Sequence, residues 1–543
     1  MSSGAAFKSH YIRAFARPKF FRLLVALLSI IGLFRLISKA FPSPDSDHLH
    51  PSDLLDSLGK GLPKWGFGSN SSLGSLGAMG RALHLSRSSA TSERDGKRAQ
   101  VVLDNSDYKR AGEWCTEEEY LDGEWVLREE EVTLDNIRRI YKYTDRGALK
   151  CLSKESAYGV DPEEDEPEHY ARILETAQYE YRPRSGCKRH EWNRWNFAKY
   201  CLRTKAGCSI VGDSLADQIY TAVQYSMVTA EDSLFDIWGS PSLIFNISVN
   251  RNHRDAQKLL AEAGVSPDRL DRPIFNYYRE HHIVHRSDLD NAFSRFYDYV
   301  PWTGGPNYAE SGWIFDRSWW YDKIKEQLGL PLRLVPKNGN EAIPLEEKSM
   351  VAFSTGPHWA WHELWPKHID GSKKDYEDMM RGFVGAFDTV LNNVTELAKD
   401  NKILAWWRSN VPGHIDCWQY DLPDNERKTH LSDLDPKKTS YNWNWYTIMD
   451  GFVASHLGYK PSDSNQYLRP TKYAMRFLDF WNMSLKRPDA HLKPAIDCMH
   501  FCSPSVPEEW LSFLWHMMVT AAVNDDYDDV PESDSWFMAA MAK

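Results

Sequence analysis

The sequence predicts an α/β fold, with a central and mostly parallel sheet covered by helices on both faces. Three observations carry this expectation. Cys208 to Val211, Ser349 to Phe353 and Ile403 to Trp407 are short apolar runs of the length of buried strands. Helical patterns accompany them: Leu215 to Met227 follows the first run, and Tyr376 to Leu397 lies between the other two, with Met379, Phe383, Phe387 and Leu391 at helical spacing. Strands that alternate with helices return to the same end of a sheet, which makes neighbouring strands parallel. Further along, Tyr473 to Leu485 and Pro507 to Val519 read as amphipathic helices.

The rest of the chain divides by composition. Lys8, Arg13, Arg17, Lys19 and Arg22 come before any acidic residue, the first of which is Asp45. Leu23 to Phe34 is apolar apart from Ser29 and Gly32. Residues 20–37 would form a helix of roughly 27 Å, enough to cross a thin bilayer, with Arg22 and Arg35 snorkelling at its ends. The positive flank then keeps residues 1–19 in the cytosol and sends the remainder to the lumen. A cleaved signal peptide is the alternative, because Ser38-Lys39-Ala40 faintly resembles a cleavage site. Residues 38–110 are rich in Ser, Gly and charge and read as a flexible stem. Residues 111–543 read as the folded lumenal domain, and Asp525 to Asp529 as a solvated acidic tail.

Charge and cysteine use narrow the setting. A formal net charge of -11 argues against a general nucleic-acid binder. All eight cysteines lie at or beyond Cys115, and an even number on the lumenal side suggests disulfides whose pairing sequence cannot give. Cys498 and Cys502 have no CxxC partner cluster, which argues against zinc. Glycosylation sequons begin at Asn70, Asn246, Asn393 and Asn482. The 22 tryptophans could pack a large core, or some could stack on sugar rings; composition does not separate these uses.

Two motifs carry the chemistry. Ile210-Val211-Gly212-Asp213-Ser214-Leu215 breaks from an apolar run into a turn, placing Ser214 at a strand-to-helix transition. Amides at a helix start can stabilise an oxyanion, and Gly212 permits a tight turn. The same tripeptide also serves as an ordinary helix cap. Asp497-Cys498-Met499-His500-Phe501-Cys502 supplies an aspartate and a histidine three residues apart. Together the motifs offer a nucleophile, a base and an orienting carboxylate, the set that acyl transfer through serine requires. The plainer alternative is a loop in which Asp497 caps a turn and His500 packs on Trp510. His358 and His362 have a spacing seen in zinc sites, but no third ligand is evident and a structural role is expected. His281, His282 and His285 are expected to be ordinary surface or core residues.

The surroundings of both motifs resemble the trichome birefringence-like family, also called PC-esterases, in a fungal-type form. The resemblance runs from about Cys115 to Met518. It rests on Arg487-Pro488-Asp489-Ala490-His491, the Asp497 to Cys502 stretch, Pro507-Glu508-Glu509-Trp510, Gly212-Asp213-Ser214, and Trp192-Asn193-Arg194-Trp195 before Cys201. Asp122-Gly123-Glu124-Trp125, Phe353-Ser354-Thr355-Gly356-Pro357-His358-Trp359 and Trp407-Arg408-Ser409 add to it. Four departures stand out: Phe501 in place of Trp, an inserted Pro357, Gln218 where plant members carry Asn, and Ser503-Pro504-Ser505 in place of Leu-Pro-Gly.

The resemblance implies an SGNH-hydrolase-like α/β/α fold with Ser214 as nucleophile, His500 as base and Asp497 as orienting acid. It places Gly212, Gly356 and Arg408 as oxyanion or substrate residues. The implied activity is a Golgi-membrane O-acetyltransferase, single-pass with its catalytic domain lumenal, acting on a polysaccharide or other glycan. No cofactor or metal is expected; an acetyl donor such as acetyl-CoA serves as co-substrate. An acetylesterase with the same triad and a non-catalytic, wall-organising glycan binder are the alternatives.

Overall fold

A computed structural model describes residues 114–142, 151, 167–228, 233–239, 244–294, 319–336, 346–360, 373–400, 403–428, 441–459, 475–494 and 496–523. All of these belong to one compact unit, Gly66–Lys543. The expected membrane helix at 20–37, the stem at 38–110, the sequon at Asn70 and the acidic run at 525–529 lie outside the described residues. Among the described residues no helix is long and apolar enough to cross a membrane.

The centre is a seven-stranded, mostly parallel sheet, which fits an SGNH-like fold. Its strands are β3 (Cys208–Gly212), β4 (Phe235–Gly239), β5 (Ile244–Val249), β6 (Phe275–Arg279), β7 (Ser349–Ser354), β8 (Ile403–Arg408) and β9 (Met475–Leu478), in the order β4-β5-β6-β3-β7-β8-β9. β6, β3, β7, β8 and β9 run parallel, and β5 and β4 complete one edge antiparallel. β3 and β7 are buried at every residue, as central parallel strands are when helices cover both faces.

Each face has its own helices. On one side Ile210, Phe275, Tyr277, Met350, Ala352 and Trp406 join a core with helix α5 (Ser214–Met227) and helix α12 (Val506–Val523). On the other, Trp407 meets Phe387 of helix α9 (Lys373–Leu397) edge-on at 5.0 Å, and Phe353 meets Trp320 of helix α8 (Trp319–Leu328) at 4.8 Å. The alternation of residues 406 and 407 between faces is the two-residue period of a strand.

Two expectations change. Tyr473 to Leu485 is not one helix: Met475–Leu478 forms β9 against β8, and only Trp481–Leu485 is helical, as the short α11. An apolar run of this length suits either state, and the open edge of β8 supplies the hydrogen bonds that decide it. The helix expected over Pro507 to Val519 forms as α12, but it is buried nearly all round instead of on one face. The preceding 114–192 segment covers what would be its outer side: Phe513 meets Tyr120 at 4.7 Å, Trp515 meets Trp192 at 5.9 Å, and Glu509 accepts from Tyr120 and Arg189. That segment carries the antiparallel pair β1 (Gly123–Leu127) and β2 (Tyr179–Pro183).

Candidate active site

The nucleophile position follows from β3. A Cβ at Gly212 would stand 2.1 Å from the Ser354 carbonyl oxygen of neighbouring β7, so the strand ends on a residue without one. Asp213 is extended and fully buried, and its carboxylate accepts from the Leu215 amide at 3.0 Å, capping α5. Tyr277 on β6 donates to the Asp213 carbonyl at 2.9 Å. Ser214 is therefore the first residue of a 14-residue helix, at the positive end of its dipole. It lies beyond the carboxyl end of a central parallel strand, where open α/β sheets bind ligands.

The other motif is a strand, not the loop of the plainer reading. β10 (His491–Lys493) and β11 (Asp497–Phe501) pair antiparallel. His500 Nε2 is 2.7 Å from Ser214 Oγ, and His500 Nδ1 is 2.8 Å from Asp497 Oδ2. Asp497 does cap a turn as well, because its other oxygen accepts from the Met499 and His500 amides at 3.0 and 3.1 Å. Phe501, rather than His500, meets Trp510 edge-on at 5.5 Å.

The charges of this chain support each other. Burial alone would raise the Asp497 carboxyl, but the His500 hydrogen bond and charge and the two amides bring it down to about 2. Burial pushes the His500 imidazole down, yet Asp497, with Asp213 and Asp217 behind it, outweighs burial and leaves it above the ordinary histidine value. Burial raises the Asp213 carboxyl, with His358 and Arg408 opposing.

Three features hold β11 in place. Cys498 is bonded to Cys417 and Cys502 to Cys151, so disulfides lie on both sides of His500. Gln218, one turn along α5 from Ser214, donates to the Phe501 carbonyl at 2.7 Å and accepts from the Phe501 amide at 3.2 Å. The Arg487 to His491 motif builds the support beneath. Arg487 forms a buried ion pair with Asp489 at 2.9 Å, and Arg172 donates to the carbonyls of Asp489 and His491, each at 2.6 Å. His491 in turn stacks on Phe501 at 4.5 Å and contacts the His500 carbonyl at 3.1 Å.

Gly356 and Arg408 occupy different settings. Gly212 is in register with Ser354, which puts Gly356 two residues past the end of the adjacent strand. A Cβ there would stand 1.7 Å from Asn410 Oδ1. Asn410 donates through its backbone and side-chain nitrogens to Asp450, both at 2.9 Å. Burial pushes the Asp450 carboxyl up to about 8 against those bonds. Arg408 is buried: it donates to Ser354 Oγ, and its guanidinium lies over Phe480 and Trp510 at 5.5 and 5.6 Å. Its contacts toward the site are thus with Ser354 and, by charge, with Asp213, and it presents no open face.

Sequence reasoning did not find Asn410 or Asp450, since each is a single polar residue without a motif. Gln218 drew notice only as a departure from the family pattern. Among the described residues no group of three or more His, Cys, Asp or Glu could hold a metal ion. His281 and His282 are buried, and His281 stacks on His358 with ring centres 3.4 Å apart. His362 lies outside the described residues.

No family model matches the chain. Over 190 residues it is 25% identical to protein trichome birefringence-like 12 of Arabidopsis thaliana, a stretch covering 32% of this chain and 44% of that protein. The chain thus spans less than half the length of this relative. A likeness so distant and partial supports the trichome birefringence-like, or PC-esterase, family as the kinship of this chain and nothing finer.

Proposed function

We propose that this chain is a serine-dependent O-acyltransferase that moves acetyl groups onto a hydroxyl of a polysaccharide or glycoconjugate. The observation that carries the reading is the continuous hydrogen-bonded chain from Ser214 through His500 to Asp497, set at a helix N-terminus. The distant likeness to a trichome birefringence-like protein points to the same acyltransferase or esterase class.

In this reading His500 Nε2 takes the Ser214 proton as Oγ attacks the acetyl carbonyl of the donor, for which acetyl-CoA is the candidate. The amides of the first turn of α5, and the backbone at Gly212 and Gly356, face the developing oxyanion. The bond to the leaving group breaks, His500 gives it the proton, and acetyl-Ser214 remains. A sugar hydroxyl then loses its proton to His500, attacks the acetyl carbon, and leaves as the ester while Ser214 recovers its proton. Asp497 holds the imidazole tautomer and stabilises the imidazolium formed in each half. No cofactor enters this scheme.

The setting is part of the proposal: a single-pass Golgi membrane protein with this domain in the lumen. The four disulfides, Cys115–Cys187, Cys151–Cys502, Cys201–Cys208 and Cys417–Cys498, suit an oxidising compartment. Asn482 of one sequon is exposed.

The test incubates the purified chain with acetyl-CoA or p-nitrophenyl acetate and oligosaccharides, followed by mass spectrometry. Acetylated sugar is expected, and Ser214→Ala should lower turnover by roughly 10⁴-fold or more. Equal turnover by Ser214→Ala would overturn the reading. A second reading, acetyl-ester hydrolysis, is favoured by one observation: the His500 and Asp497 side chains are about a quarter exposed, so water can approach. Donor breakdown without acetylated sugar would establish it.

A further inference from the structure

Among the described residues the tryptophans mostly serve the core. Trp320, Trp359, Trp406, Trp407, Trp510 and Trp515 are all fully buried. Among the described residues Trp418 is the exposed tryptophan, at 53%. A single exposed apolar residue is ordinary on a protein surface, so the inference rests on how and where this one is mounted.

The segment that carries Trp418 is tied to the candidate catalytic strand. Cys417 is disulfide-bonded to Cys498 with Cα atoms 5.6 Å apart, and its amide donates to Cys498 Sγ at 3.2 Å. The His414 amide donates to the Cys498 carbonyl at 3.0 Å, so the same segment is bonded to the backbone of β11 two residues before His500. Asp416 enters the turn in the left-handed conformation, with φ of 55°. Among the described residues no ring stacks on the Trp418 indole. Ile496, the residue before Asp497, is 58% exposed at the tip of the same hairpin, and Leu422 is exposed farther along the Trp418 loop. Asp416, Gln419 and Asp421, on the same segment as Trp418, are exposed. An aromatic face on a segment cross-linked to a hairpin that exposes an aliphatic side chain, with hydrogen-bond acceptors along the same segment, suits the C–H face and outer hydroxyls of a sugar ring. A patch built on one indole falls far short of the roughly 800 Å² per partner of a stable protein interface.

We propose that Trp418, with Ile496, is a subsite for a pyranose ring of the acceptor, remote from the ring being acetylated. The inference rests on the glycan-acceptor reading above and adds to it that the acceptor is a chain, not a single sugar. The disulfide mount fixes this platform relative to His500, so a glycan stacked on Trp418 presents a neighbouring unit to the acyl-enzyme. The backbone that carries the indole is cross-linked before binding, which lowers the entropy cost of capture.

The experiment measures kcat/KM for acceptor ladders from monosaccharide to hexasaccharide of xylose, mannose and glucose, with the full chain and acetyl-CoA. Hexasaccharide is expected to outperform monosaccharide, and Trp418→Ala should shrink that advantage about fivefold. Trp418→Tyr should restore most of it, which separates stacking from misfolding. An undiminished advantage in Trp418→Ala, alongside turnover that Ser214→Ala abolishes, would overturn the subsite while leaving the enzyme reading intact. If Ser214→Ala keeps its turnover the enzyme reading fails, and saturation-transfer NMR of the hexasaccharides judges the subsite alone: equal signals from the wild-type and Trp418→Ala chains would overturn it. Loss of self-association in Trp418→Ala, with hexasaccharide kinetics as in the wild type, would assign the patch to a second copy instead.

Discussion

His500 is under two opposing pulls. Burial favours the neutral ring and the carboxylates around it favour the charged one; the carboxylates win, and the pKa lies above the ordinary histidine value. A base must be neutral to accept a proton. The acid limb of kcat/KM is therefore expected above the unperturbed value of about 6.5. Asp497→Asn removes the largest opposing charge and leaves burial in command. Its acid limb should move to lower pH while kcat falls by roughly 10³- to 10⁴-fold. A pH–rate profile of that variant with an unmoved acid limb would show that Asp497 does not set the imidazole. The stability linked to the pair follows the same signs. The His500 share is complete below about 6.5 and is lost as pH rises through the raised pKa. The Asp497 share is present above the usual carboxylate range and is lost as pH falls toward about 2.

At the scale of elements, the question is what keeps helix α5 and strand β11 in register. The Ser214 to His500 contact joins residues 286 apart in sequence, and nothing local holds them. Gln218 does part of this work by pairing with both backbone groups of Phe501, as an adjacent strand would. Gln218→Asn is a methylene short of making both bonds, and Gln218→Ala makes neither. Both should lower kcat, by roughly 10- to 100-fold for Ala, with KM for the donor little changed. The acid limb should stay put, because the Asp497–His500 pair is intact. A loss confined to KM, or a shifted acid limb, would remove Gln218 from the positioning role. Gly356 belongs to the same scale: it is a glycine because the Asn410 side chain fills the space where a Cβ would be.

At the scale of the molecule, covalent bonds tie the ends of the domain to the site. Cys151–Cys502 spans 351 residues and anchors the N-terminal segment to the residue after β11. Closing so long a loop restricts the unfolded chain, a contribution on the order of 6 kcal/mol in the chain-entropy view. The double variant Cys151→Ala/Cys502→Ala should unfold at clearly lower denaturant concentration, with activity at low temperature reduced less than by Gln218→Ala. A denaturation midpoint equal to that of the wild type would show that the surrounding Arg172 and Arg487 bonds suffice. The N-terminal segment also completes the core, since Glu509 at the start of α12 accepts from Tyr120 and Arg189.

The sequence alone determined the parts with strong local signals. β3, β7 and β8 were legible as apolar runs, the helices after β3 and β7 as periodic ones, and the two motifs as chemistry that belongs together. Gly212 was legible because a glycine at a strand end has few other uses. Only the tertiary structure decided what depends on distant partners. β9 became a strand because β8 offered an edge, and α12 lost its polar face because residues 114–192 covered it. The disulfide pairing, the roles of Asn410, Asp450 and Gln218, and the buried position of Arg408 are likewise set by contacts between segments far apart in the chain. Local periodicity records which face of an element is apolar; it carries no record of which other segment that face, or a lone polar side chain on it, will meet.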